Sequence, residues 1–161
     1  MKIGITGHQH LPNSEAWGWV QESVFRELLS VREPIVGYSC LAIGADQLFA
    51  KCILELGGDL RVILPFDGYE EILQTDEERR HLRELVAAAR SVEKLRHCAT
   101  REESYLNAGK RVVELSELVI AVWDGECAEG LGGTGDIVAY AQTKGKRIYH
   151  VNPIGGTTEY L

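Results

Sequence analysis

An α/β chain with a parallel sheet and helices on both faces is what this sequence predicts, on three observations. Short β-branched apolar runs alternate with amphipathic helical stretches. One run, Leu118-Val119-Ile120-Ala121-Val122-Trp123, is apolar throughout, the mark of a strand buried on both faces. Two glycine-bearing turns, Ser39-Cys40-Leu41-Ala42-Ile43-Gly44-Ala45-Asp46 and Gly130-Leu131-Gly132-Gly133-Thr134-Gly135-Asp136, each lead from such a run into a helix.

Taken in order, Lys2–Thr6 reads as a strand with Ile3 and Ile5 apolar, followed by a loop over Gly7–Pro12. Asn13 or Ser14 is the expected N-cap of a helix running to about Leu29, with Val20, Val24 and Leu28 on one face. Ile35–Leu41 is the second strand. Ala45, Leu48, Phe49, Cys52, Ile53 and Leu56 then show the clearest helical spacing in the chain, ended by Gly57-Gly58. Leu60–Leu64 is the third strand, stopped by Pro65. Thr75-Asp76-Glu77-Glu78 has capping-box spacing and opens a helix with Leu82, Leu85, Val86 and Ala89 inward. Val92–Leu95 reads as a short strand, and a helix runs from about Glu102 to Leu115. After the buried run at 118–123, Gly135–Lys144 is helical and Arg147–Val151 closes the sheet. One domain is expected over residues 1–151, with 152–161 as a tail on the surface.

Composition sets the boundaries of function. The chain has 161 residues, 45% hydrophobic and 25% charged, as in an ordinary soluble domain. No apolar run approaches the roughly 20 residues of a membrane span, and no signal-peptide pattern opens the chain. Cys40, Cys52, Cys98 and Cys127 have no CxxC spacing and read as reduced thiols, so a cytoplasmic protein is expected. A formal charge of −7 argues against a surface that tracks nucleic-acid phosphates.

The glycine turns carry the chemistry. A helix N-terminus offers free N–H groups and partial positive charge, and glycine permits positive φ and close approach of a ligand. Phosphate is the group such turns suit. Ligands of parallel sheets bind beyond the carboxyl ends of the strands, at the topological switch point, and every turn named here follows a strand. Gly7 and His8, at the end of the first strand, are expected at that edge. Gly4-Ile5-Thr6-Gly7 lacks GxGxxG spacing, so neither a nicotinamide nor a flavin cofactor is expected. His8 and His10 have H-x-H spacing but no partner spacing for a third or fourth ligand, so no metal is expected. In the second turn, Ser39, Gly44, Ala45 and Asp46 are site candidates, Asp46 either as a helix cap or as a ribose ligand. In the later turn, Gly132, Gly133 and Gly135 offer backbone, Thr134 a hydroxyl, and Asp124 and Asp136 carboxylates for ribose or acid–base work. Phe66 and Tyr69 read as loop anchors before they read as stacking platforms. Trp17 and Trp19 read as packing residues or part of a subunit contact.

Ser39-x-x-Ala42-x-Gly44-x-Asp46 resembles the S-G-x-A-x-G-x-D turn of DNA-processing protein A, and Gly132-Gly133-Thr134 resembles the G-G-x-G-T turn of Lonely Guy phosphoribohydrolases. The stretch from Tyr105 through Asp124 to Thr134 is similar to YpsA-like proteins. All belong to the SLOG superfamily, and the resemblance, from Ile3 to about Val151, implies a Rossmann-like sheet with a pocket for nucleotide-like ligands; a homodimer is a further implication. Two positions depart from the Lonely Guy pattern. Its Arg-Lys pair corresponds to Ala108-Gly109, with Lys110 and Arg111 on another helical face, and its catalytic Glu corresponds to Ile137, with Asp136 one position short. The first loop has His8-Gln9 where the DNA-binding branch has an Arg.

These features predict a cytoplasmic binding or sensor domain for a nucleotide or nucleotide-derived small molecule, with no cofactor, no metal and no membrane partner. The alternative is a hydrolase of N-glycosidic bonds, resembling a nucleoside monophosphate phosphoribohydrolase, with Asp136 or Asp124 in place of the missing Glu. Single-stranded DNA binding is a third reading that rests on the resemblance, and the acidic balance weighs against it.

Overall fold

The computed structural model describes residues 1–126 and 130–161. Cys127, the one nominated cysteine among 127–129, lies outside them; Cys40, Cys52 and Cys98 are free thiols.

Seven strands form one sheet in the order β4-β3-β2-β1-β5-β6-β7. They are β1 (Lys2–Gly7), β2 (Val36–Ser39), β3 (Asp59–Leu64), β4 (Ser91–Lys94), β5 (Leu118–Val122), β6 (Arg147–Asn152) and β7 (Thr157–Tyr160). The first six are parallel. The helices are α1 (Ala16–Ser30), α2 (Ala45–Glu55), α3 (Asp76–Ala88), α4 (Arg101–Leu115) and α5 (Thr134–Thr143). This is the Rossmann-like arrangement that the alternating pattern predicts. None of its helices among the described residues is long and apolar enough to cross a membrane.

Side-chain alternation splits the core between the faces. Ile3, Ile5, Val62 and Ile120 pack with Val24 and Leu28 of α1 and Phe49 and Ile53 of α2 on one side. Val119, Ala121 and Ile148 meet Val113 of α4 and Ile137, Val138 and Ala141 of α5 on the other. β5 is wholly buried, as its unbroken apolar run requires. Trp17 and Trp19 pack against the first of these clusters.

Several boundaries differ from the sequence expectation. The N-cap of α1 is Glu15, while the Asn13 side chain accepts the Glu15 N–H at 3.0 Å just before it. β2 ends at Ser39, because Leu41 takes φ +56°. Thr75 caps α3 through the expected capping box, and Thr100 with Glu103 makes a second one at α4. The expected tail contains β7, exposed along its length and antiparallel to β6, with Tyr149 opposite Tyr160. The Tyr160 hydroxyl donates to Glu27 of α1, tying this edge to the helix layer.

Candidate functional site

β1 lies between β2 and β5, so the order of strands reverses around it, and its carboxyl end is the switch point at which such sheets bind ligands. A cavity of about 900 Å³ opens there, within the range usual for ligand sites. Gly7, His8, Asp46, Asp124, Gly132, Gly133, Thr134 and Gly135 line it. Ser39, Gly44, Ala45 and Asp136 do not, and each of these four has a structural task nearby.

The turn after β2 is closed by the chain itself. The Ala45 N–H, at the start of α2, donates to the His8 carbonyl at 3.1 Å. Gly44 has φ +88°, and a Cβ there would fall 2.5 Å from the Gln9 carbonyl oxygen. The close approach that Gly44 permits is therefore to the β1–α1 loop, whose His8 carbonyl takes the first N–H of α2, that of Ala45. Asp46 braces the turn from within. Its Oδ2 accepts from the Ser39 hydroxyl at 3.0 Å and from the Cys40 N–H at 2.8 Å. Burial raises its carboxyl from 3.8 to about 6, against the lowering effect of these donors. Leu41 holds its left-handed backbone by donating its N–H to Ser39 Oγ at 3.0 Å and accepting from the Gln47 side chain at 3.1 Å.

The turn before α5 is open. Gly132, at φ +83°, lies against α4: a Cβ there would fall 2.9 Å from the Glu102 carbonyl oxygen and 3.0 Å from the Leu106 nitrogen. Its N–H does not face the cavity as a free donor, because Asp136 Oδ2 accepts it at 2.9 Å, and the Gly133 N–H goes to the Gly130 carbonyl at 3.2 Å. What remains for a ligand is one residue further on. Among the described residues, nothing accepts from the N–H groups of Thr134 and Gly135 or pairs with the Thr134 hydroxyl, at the positive end of a ten-residue helix.

The two nominated carboxylates are both turned to the chain. Asp136 holds the glycine turn, as just described. Asp124 Oδ1 accepts the Glu126 N–H at 3.0 Å, and its Oδ2 lies 3.3 Å from His8 Nε2. His8 Nε2 also accepts the Asp124 N–H at 3.2 Å when the ring is neutral, linking the β1 and β5 loops. No group of three or more His, Cys, Asp and Glu suited to a metal occurs among the described residues.

Sequence reasoning missed three parts of the lining. Ala108 and Gly109 of α4 and Ile137 of α5 line the cavity together, and a Cβ on Gly109 would fall 2.5 Å from Ile137 Cδ1. The two departures from the Lonely Guy pattern thus meet in space as one apolar contact. Tyr105 also lines the wall, as does the Cys40 thiol, whose pKa is pushed well up by burial and by Asp46. Finally, the described lining contains no Lys or Arg, while Asp46, Glu78, Asp124 and Glu126 contribute to it.

No family model matches this sequence, and no curated protein does. Solved structures match across most of the chain. DNA processing protein A from Streptococcus pneumoniae is 13% identical with a TM-score of 0.64, over 92% of this chain and 49% of that one. A Helicobacter pylori DNA processing protein A, described for its single-stranded DNA binding mode, is 18% identical with a TM-score of 0.64, over 93% of this chain and 64% of that one. The Moco carrier protein of Chlamydomonas rheinhardtii is 16% identical with a TM-score of 0.54, over 92% and 74%. The chain spans about half the length of the Streptococcus protein. At such identities the likeness is one of fold, a Rossmann-like parallel α/β sheet.

Proposed function

We propose that this chain binds a small nucleotide or nucleotide-derived molecule through a single phosphate held at the N-terminus of α5. The observation that carries the proposal is the set of Thr134 and Gly135 N–H groups and the Thr134 hydroxyl, unengaged among the described residues, on the wall of a ligand-sized cavity at the switch point. A wall that has four carboxylate residues and two histidines and, among the described residues, no Lys or Arg favours a low-charge ligand over a polyphosphate or a nucleic-acid strand. That balance weighs against the single-stranded DNA binding described for the Helicobacter protein. Binding is favoured over hydrolysis because Asp136 and Asp124 are already engaged by backbone donors, and Ile137 stands where a catalytic carboxylate would be.

A thermal-shift series tests this directly, since a ligand that binds only the folded state stabilises it by about 2.7 kcal/mol at a hundredfold excess over Kd. Nucleoside monophosphates are expected to raise the midpoint saturably, ATP to do so less, and a single-stranded oligonucleotide not at all. No shift with any monophosphate at millimolar concentration, or a larger one with the oligonucleotide, overturns the proposal.

A further inference from the structure

One part of the cavity wall is aromatic. Tyr69 begins a short 3-10 turn after β3, and Tyr105 lies on α4; both line the cavity. Phe66, 4% exposed, supports them from behind, with ring centroids 5.7 Å from Tyr69 and 6.1 Å from Tyr105. The two tyrosine rings are 6.4 Å apart and nearly perpendicular, at 78°. A planar ring parallel to Tyr105 therefore stands nearly perpendicular to Tyr69.

The Tyr69 hydroxyl is the second observation. Tyr69 is 6% exposed, and no hydrogen-bond partner for its hydroxyl occurs among the described residues, although the residue borders the cavity. Among the described residues, Arg61 Nε is the one buried side-chain N or O atom without a partner, so the Tyr69 oxygen itself is still reachable and is free to donate to a molecule in the cavity. Burial, together with the neighbouring Asp46 carboxylate and Cys40, pushes its pKa well above the usual phenol range, which keeps it a donor. The aromatic wall is also next to the open turn: Gly132 rests on the backbone of Glu102 and Leu106, the segment of α4 that carries Tyr105.

We infer that Tyr105 and Tyr69 form a base subsite: the ligand carries a planar heteroaromatic ring that stacks on Tyr105 and accepts a hydrogen bond from the Tyr69 hydroxyl. This rests on the phosphate-anchored reading of the same cavity and deepens it by naming the residues that would take the base of a nucleoside monophosphate. Titration calorimetry with AMP, GMP, CMP and UMP, the matching nucleosides and ribose 5-phosphate separates the two ends. At least one monophosphate is expected to bind wild type about tenfold or more tighter than ribose 5-phosphate. Tyr69→Phe keeps the ring and is expected to weaken that nucleotide about three- to tenfold, and Tyr105→Ala at least about fivefold. Both variants should hold ribose 5-phosphate within about twofold of wild type, since its contacts are at the other end. Nucleosides that bind and depend on both tyrosines, while ribose 5-phosphate does not bind, support the base subsite and overturn the phosphate anchor. Ribose 5-phosphate binding as tightly as every nucleotide overturns the base subsite and leaves the anchor standing. Nucleotide affinity unchanged in Tyr69→Phe overturns the hydroxyl's role, and no binding by any probe at millimolar concentration overturns both ends.

Discussion

Replacing Asp46 by Asn should make this protein more stable near neutral pH, and by an amount that depends on pH. The carboxyl is 5% exposed, and burial raises it from 3.8 to about 6 in spite of the Ser39 and Cys40 donors. The folded state therefore holds a proton between about pH 4 and pH 6 that the unfolded chain has released. Stability is fully supported below the unfolded value, falls as pH rises through that window, and levels off above about 6. The difference between 3.8 and about 6 corresponds to roughly 3 kcal/mol. Asn carries no charge and keeps a carbonyl oxygen that can accept from the Ser39 hydroxyl and the Cys40 N–H. Urea denaturation of both proteins at pH 4, 5, 6 and 7 measures the effect. Taking the difference between the two proteins cancels other titrating groups, such as Glu70 and Glu78, which are held below their usual range by Arg83 and by the Thr75 N–H. The variant should gain about 2.4 kcal/mol on wild type between pH 4 and pH 7, the rest of the change falling below pH 4. A difference that stays flat with pH, or one that moves in favour of wild type as pH rises, would refute the account of Asp46 as a buried brace.

Four further outcomes follow from the same geometry. Thr134→Val removes the hydroxyl at similar volume and should weaken nucleoside monophosphates by about ten- to a hundredfold, roughly 1.5–3 kcal/mol, with the parent nucleosides losing much less by calorimetry. Gly132→Ala forces a side chain to φ +83° and into the α4 backbone, so its urea midpoint should fall by the equivalent of about 1–3 kcal/mol. Gly133, with φ −68°, has a backbone open to any residue, and Gly133→Ala is expected to lose clearly less than Gly132→Ala in the same assay. Thr100→Ala breaks the capping box of α4 and should cost about 1 kcal/mol in urea denaturation.

The parallel part of the sheet was legible because its strands and helices announce themselves locally. Five apolar runs, the 3.6-residue spacing of α2 and the Thr75 box all depend on neighbours within one turn or one strand. β7 was not legible, since Thr157–Tyr160 is exposed and acquires its form only by pairing with β6. The site was legible to the level of loops and less so to the level of atoms. That Gly44 serves the His8–Gln9 backbone, and not a ligand, depends on two loops 35 residues apart in sequence meeting. Likewise, Gly132 and Asp136 sit four residues apart and look like two ligand contacts, whereas they bond to each other. Tyr105 reads as one more half-apolar helix position, and it borders the cavity only because the N-terminal part of α4 passes beside the glycine turn.

The phosphate anchor at α5 is the central claim, and backbone amide NMR addresses it at the atoms concerned. Titrating ribose 5-phosphate or inorganic phosphate into labelled protein should move the Thr134 and Gly135 amide resonances saturably, through hydrogen bonds to the anion. The Ala45 amide, already donated to His8, and residues such as Leu29 and Leu56 at the opposite end of the sheet should move little. Largest shifts at Ala45 or at that far end, or no saturable shift at Thr134 and Gly135 up to millimolar anion, would contradict the account.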